Sequence, residues 1–155
     1  MIKIILTYLL AMAFLYFAID GIGNLFTLIN IPSLLFVLIG FVLLFANFSV
    51  SEIFNAFKDS FGKTINPEFR ERYKLGSFVI KTAGNYILYI GIIGTIIGLI
   101  MVLANVGSMD NLGSSFGLAI ITIFYAILIK LVILLPLSNS LDKKVILLEQ
   151  SKKGE

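Results

Sequence analysis

Residues 86–106 read YILYIGIIGTIIGLIMVLANV, an apolar run without one charged side chain. A membrane-crossing helix needs about 20 predominantly apolar residues to cover a hydrocarbon core of roughly 30 Å, and this run is long enough. Three further stretches qualify. Residues 116–136 follow it closely. Residues 31–48 open on Asn30-Ile31-Pro32, a capping asparagine with proline in the first turn. Residues 2–19 are interrupted only by Lys3 at their edge. They share the apolar character of a signal peptide, but the run is long and no small-x-small site follows Tyr16-Phe17-Ala18-Ile19-Asp20, so a retained helix is expected.

The composition agrees with that reading. Of 155 residues 59% are hydrophobic and 14% charged, against about 45–50% and 25% in soluble domains. The expected fold is an all-α integral membrane protein of four transmembrane helices, a single membrane domain over residues 1–155. Its spans lie at about 2–19, 31–48, 78–106 and 116–136, with a loop at 49–77 and a tail at 137–155. Spans three and four are expected to be long and to extend out of the membrane. The absence of Cys and His removes thiolate metal sites and the commonest metal ligand, general base and proton relay. No acid, base and nucleophile come together within the spans, so an enzyme is not expected.

Orientation follows from the 12 Lys and Arg residues. Lys58, Lys63, Arg70, Arg72 and Lys74 lie between spans two and three, and Lys143, Lys144, Lys152 and Lys153 lie in the tail. Residues 20–30 and 107–115 carry none. The positive-inside rule places both termini and the 49–77 loop in the cytoplasm. The net charge of +3 is thus a matter of topology and points to no nucleic acid. Within the loop, a helix is expected from Ser51 as cap, with Ile53, Phe54, Phe57 and Phe61 on one face and Gly62 as its end. A second helix starts at Asn66-Pro67-Glu68 and runs toward span three, with Gly76 as an interruption. Beyond Pro136, Leu137, Leu141, Val145 and Leu148 keep an apolar stripe, which predicts that span four continues as a helix.

None of the four spans contains Asp or Glu. Intramembrane proton paths use ionisable side chains, so a carboxylate for such a path has to come from a partner chain. Lys130 is the one charge well inside a span, roughly 9 Å before Pro136 at 1.5 Å per residue. Its stem either snorkels to the headgroups or its ammonium pairs with an acid of a neighbouring subunit. Gly91, Gly94 and Gly98 of span three are small residues of the kind that let helices approach closely in lipid. Thr95 and Thr122 are the hydroxyls of interest. Each either bonds the carbonyl four residues earlier, at Gly91 and Leu118, or faces a polar track that takes a passing ion or water.

Gly91-Ile92-Ile93-Gly94-Thr95-Ile96-Ile97-Gly98-Leu99-Ile100 resembles the third-span signature of the MotA/TolQ/ExbB family of ion-driven motors. Phe116-Gly117-Leu118-Ala119-Ile120-Ile121-Thr122-Ile123-Phe124-Tyr125-Ala126, followed by Leu134-Leu135-Pro136-Leu137-Ser138-Asn139, is similar to that family's span four. Ile31-Pro32-Ser33-Leu34-Leu35, the segment from Phe48 to Lys58 and the turn over residues 105–113 are similar to their counterparts in the MotA branch, which has four spans where TolQ has three.

The resemblance implies an ion-conducting subunit, five copies of which surround a dimer of a single-span MotB-, ExbD- or TolR-like partner carrying a membrane aspartate. It implies a bacterial inner membrane location and no cofactor beyond the transported H+ or Na+. Thr95, Thr122 and Tyr125 would belong to the ion pathway. Gly91, Gly94, Gly98 and Ala119 would pack helices and line the pore, and Pro136 and Lys130 would act in torque or gating. Three departures stand out. Fewer than forty residues separate spans two and three, where a MotA has roughly a hundred, so engagement of a flagellar rotor is not expected. The family's span-four threonine falls on Ile123, with Thr122 beside it. The proline that opens MotA's third span has no counterpart near Leu88. The second departure also keeps open a non-conducting scaffold that holds partner helices.

Overall fold

The computed structural model describes residues 13, 29–104 and 112–151, so the expected first span at 2–19, residue 13 apart, and the turn at 105–111 lie outside the described residues. Contacts divide the chain into two units, Met1–Pro32 and Ser33–Glu155. The described elements are helical. Helix α1 (Ile31–Val42) continues into a tight 3-10 turn (Leu43–Ala46), and α2 (Val50–Phe61) follows. A second 3-10 turn (Pro67–Phe69) opens into α3 (Arg70–Ala104). Helix α4 (Leu112–Leu128) passes through a π-helical turn (Ile129–Leu134) into α5 (Leu135–Ser151).

Two continuous helices, Pro67–Ala104 and Ser115–Ser151, are long and apolar enough to cross a membrane, with 38 and 37 residues. A third candidate is the stretch Ile31–Ala46 with Val50–Phe61, but the two parts meet at a bend of 116°. Gly76 does not interrupt the third span: α3 passes straight through it, because its missing side chain gives room to Leu141 and to the Ala56 backbone. Span four continues as a helix past Pro136, as its apolar stripe predicts. Leu137, Leu141, Val145 and Leu148 are buried in the same core as Val79, Ile80, Ala83 and Ile87 of α3 and Val37 and Leu44 from the α1 region.

The π-helical turn has a local cause. Pro136 has no N–H to give the carbonyl four residues earlier, and its ring crowds that carbonyl. One extra residue in the preceding turn relieves both problems, and the Leu135 N–H reaches back to the Lys130 carbonyl. The helix thereby crosses a proline without ending.

The cap of helix α2 lies two residues before Ser51, the serine expected in that role. Ser49 is the cap: its hydroxyl accepts from the Glu52 N–H at 3.3 Å, and the Glu52 carboxylate accepts from the Ser49 N–H at 2.8 Å. This reciprocal pair satisfies two otherwise unpaired donors. The Ser49 N–H and hydroxyl hold the Glu52 carboxyl below the usual range. The apolar face also differs from expectation. Ile53 and Phe57 pack on the core, whereas Phe54 and Phe61 are exposed, because the buried face turns toward Ala56 and Ser60.

A cluster of charges ties the near end of α3 and the far end of α5 to α2. Arg72 holds Asp59 through two hydrogen bonds of 2.6 Å. The Lys144 ammonium donates to the carbonyls of Asp59 and Gly62 at 2.6 and 2.7 Å, where helix α2 ends with unpaired acceptors. Arg70 joins Glu149, and Lys81 joins Asp142 at 2.7 Å. These groups lie at the charged ends of the helices, outside the apolar runs. Burial pushes the Lys144 ammonium below the ordinary lysine range, against the opposing charge of Asp59. Burial raises Asp142, but hydrogen bonds from Lys81 and Ser77 and the Lys81 charge outweigh it and hold the carboxyl below its usual range.

Candidate functional site

Helices α3 and α4 lie antiparallel, and their register is set by small residues. A Cβ on Gly91 would stand 2.3 Å from Ala126 Cβ, and one on Gly98 would stand 2.9 Å from Ala119 Cβ. Neither distance is possible between real carbon atoms, so hydrogen at these two positions is what lets the helices touch. Ala119 and Ala126 are themselves buried. Gly94, between them, faces the methyl of Thr122 and the ring of Phe36, which brings the α1 region onto the same seam. At Gly91, Gly94 and Gly98 an added side-chain carbon would thus come within 3 Å of a neighbouring helix.

The two threonines meet in this seam. Thr122 is 6% exposed. The Thr95 hydroxyl oxygen accepts a hydrogen bond from the backbone N–H of Ile123 at 3.2 Å, a contact across the helix pair that neither reading of the sequence contained. A hydroxyl has one donor and two acceptor positions, so Thr95 keeps capacity for a second acceptor contact. Tyr125 is half-buried against the core, with its ring 6.2 Å from that of Phe124. Thr95, Thr122 and Ile123 are therefore in one place, and the side chain at 123 is aliphatic.

Lys130 occupies the π-helical turn and Pro136 the first turn of α5. The Lys130 stem lies along Gly84, and its ammonium donates to Asn85 Oδ1 at 2.9 Å. Asn85 was not singled out in the sequence. Once Gly91 is set opposite Ala126, the antiparallel register places residue 85 near residue 130, and that register is the signal that finds it. The Asn47 amide similarly donates to the Tyr86 hydroxyl at 2.7 Å, joining the end of the α1 region to α3.

The sequence model of the MotA/TolQ/ExbB proton channel family matches residues 53–153. Motility protein A of Borreliella burgdorferi is 34% identical over 76 residues, covering 49% of this chain and 29% of that protein. An uncharacterised Bacillus subtilis protein, YtxD, is 31% identical over 74 residues, covering 48% of this chain and 27% of its own length. The matched part thus spans less than a third of each of these relatives.

Proposed function

Because the chain belongs to the MotA/TolQ/ExbB proton channel family, we propose that it is the ion-conducting subunit of a MotA-like motor complex. Five copies surround two copies of a single-span partner of the MotB, ExbD or TolR kind, in a bacterial inner membrane, with both termini of this chain cytoplasmic. The partner contributes the membrane aspartate, since spans three and four contain no carboxylate of their own. Protonation or sodium binding neutralises that aspartate, changes the subunit it prefers, and turns the ring about the dimer. The driving energy is about 2.3 kcal/mol per charge for each 100 mV. Thr95, Thr122 and Tyr125 flank the ion's route, the glycine seam holds α3 against α4, and Lys130 and Pro136 form the segment that flexes as the ring steps.

The observation that carries this reading is the Thr95 hydroxyl, held against the α4 backbone by the Ile123 N–H at 3.2 Å, next in sequence to Thr122. One specific observation favours a second reading, a scaffold that binds partner helices without conducting. It is the aliphatic Ile123 at the site where the family resemblance expects a threonine. The short 49–77 segment directs the work to a partner other than a flagellar rotor.

The deciding experiment uses the complex purified with the chains that accompany it in its own membrane. Native mass spectrometry counts the subunits, and ion flux is then followed in vesicles. Five copies with two of a smaller chain, and flux abolished by Thr95→Val with assembly intact, are expected. A monomer or dimer under gentle conditions removes the ring. Unchanged flux in the Thr95→Val complex removes Thr95 from the pathway, and a wild-type complex without flux supports the scaffold.

A further inference from the structure

We propose that Lys130 anchors a binding site for the phosphate of an anionic phospholipid, in the leaflet at the charged end of the helices. The π-helical turn and α3 enclose an open pocket that Lys130, Lys81, Asn85 and Ser138 share, with Leu135 at its apolar rim. Its donors are the two ammoniums and the Asn85 amide, a set that suits a phosphate oxygen; the Ser138 hydroxyl already donates to the Leu135 carbonyl at 3.0 Å. The charges are not equivalent. Lys81 is neutralised by Asp142 at 2.7 Å, and Asp142 also accepts from the Ser77 hydroxyl at 2.6 Å. Lys130 has no carboxylate among the described residues and is met only by the neutral oxygen of Asn85. Its surroundings include Ile80 and Leu134, both buried. An ammonium in apolar surroundings is costly without a counter-charge, and the pocket leaves room for one beside it.

Depth selects the lipid as its source. The charge-free run over residues 86–106, which begins one residue after Asn85, covers about 32 Å as a helix at 1.5 Å per residue, close to the hydrocarbon thickness of roughly 30 Å. The Lys130–Asn85 contact therefore lies at the boundary of the hydrocarbon, one turn inside Lys81, where the phosphates of the leaflet lie. The exposed Leu135 and Leu131 offer an apolar surface for the acyl chain of the same lipid. Basic pockets between helices at this level are suited to acidic headgroups. The π-helical turn adds a reason for the position. It displaces residue 130 relative to a regular helix, and the stem runs along Gly84, where a side chain on α3 would stand 3.3 Å from Lys130 Cγ.

The test uses the full chain, extracted in mild detergent from vesicles holding equal amounts of phosphatidylglycerol and phosphatidylcholine. Retained lipid is counted by native mass spectrometry. The wild type is expected to retain phosphatidylglycerol preferentially. Lys130→Gln, which keeps a donor for Asn85, is expected to lower that preference about fivefold, the effect of one basic residue at an anionic surface. Lys143→Gln, at an exposed position outside the pocket, is expected to leave it unchanged. Equal retention of both lipids by the wild type, as when a neighbouring chain's carboxylate already fills the pocket, overturns the proposal. So does an unchanged preference in Lys130→Gln, an equal loss in Lys143→Gln, or displacement by excess inorganic phosphate, which marks a soluble anion instead. Photoactivatable phosphatidylglycerol on the wild-type chain gives a reading free of any variant. Labelling is expected at residues 80–85 and 130–138, and labelling confined to other segments overturns the site.

Discussion

At the scale of single residues, the α3–α4 contact depends on two hydrogens and one hydroxyl. A methyl on Gly91 would meet the Ala126 methyl at 2.3 Å and approach the Ile123 Cα and the Thr122 carbonyl at 3.5 Å. None of these atoms is the tip of a flexible side chain, so the helices themselves would have to part. Gly91→Ala is therefore expected to destabilise the protein by about 1–3 kcal/mol, the usual cost of overpacking. Ala126→Gly in the same chain removes the opposing methyl and is expected to recover most of that loss. The unfolding midpoint in mixed detergent micelles reads both variants. An unchanged midpoint in Gly91→Ala, or an equal loss in the double variant, would show that the seam does not set the helix separation. The same separation fixes Thr95 at 3.2 Å from the Ile123 N–H, so the packing residues and the candidate pathway residue respond together. Gly91→Ala is thus expected to disturb the Thr95 contact without touching its hydroxyl.

At the scale of elements, α2 is held by its end as much as by its face. The Lys144 ammonium serves two of its terminal carbonyls and stands 5.1 Å from the centre of the Tyr73 ring, and Arg72 clasps Asp59 beside it. Lys144→Met keeps most of the apolar stem but removes the donor. Hydrogen bonds to a charged group contribute about 1.5–3 kcal/mol, and the population of the locally opened state rises exponentially with that loss. Trypsin is expected to cut at the exposed Lys63 about tenfold faster in the variant, a factor equivalent to about 1.4 kcal/mol. Equal cleavage rates would mean that the apolar face alone docks α2. These ties also mark how far the sequence could be read. Periodicity and turn residues located α2, the Asn66-Pro67 start and the long helices, because those signals are local. The choice of Ser49 over Ser51 as cap was hidden, since both precede the same helix and only the reach of Glu52 decides between them. The division of Phe54 and Phe61 from Ile53 and Phe57 was hidden as well: the apolar arc of α2 is wider than the face that α3 and α5 can cover. The π-helical turn and the Lys130–Asn85 contact require the antiparallel register, and a single sequence does not fix it. Thr95 and Thr122 could be picked out as hydroxyls in apolar runs, but the Ile123 N–H as their link depends on the same register.

At the scale of the whole molecule, charge and apolar surface are segregated along the helices. Every described Lys and Arg lies between residues 58 and 81 or between 130 and 144, the stretches that come together where α2, the start of α3 and α5 meet. The opposite part of α3 exposes Ile93, Ile96, Ile97, Ile100 and Leu103, and α4 exposes Leu118, Ile120 and Ile127. A helix apolar on its outer face as well as its inner one is solvated by lipid or covered by other helices. Segregated basic residues fix which end stays in the cytoplasm, and this reading is open to a direct measurement. The chain has no cysteine, so a single introduced thiol reports one position without background. Gly113 has open space around it, and Ser151 is exposed at the end of α5. In intact cells with the outer barrier opened, a membrane-impermeant maleimide is expected to label Gly113→Cys, and Ser151→Cys only after the inner membrane is permeabilised. The reverse pattern would turn the molecule over. It would place the α2 cluster and the Lys130 pocket on the outer leaflet, and the proposed partner would then receive its motion from the opposite end of the ring. Labelling of both positions without permeabilisation would mean that α3 and α4 do not cross as a pair. The expected pattern keeps the charged cluster on the side where the basic residues are held, and it leaves the seam of Gly91, Thr95 and Thr122 inside the membrane, the depth that the proposed ion pathway requires.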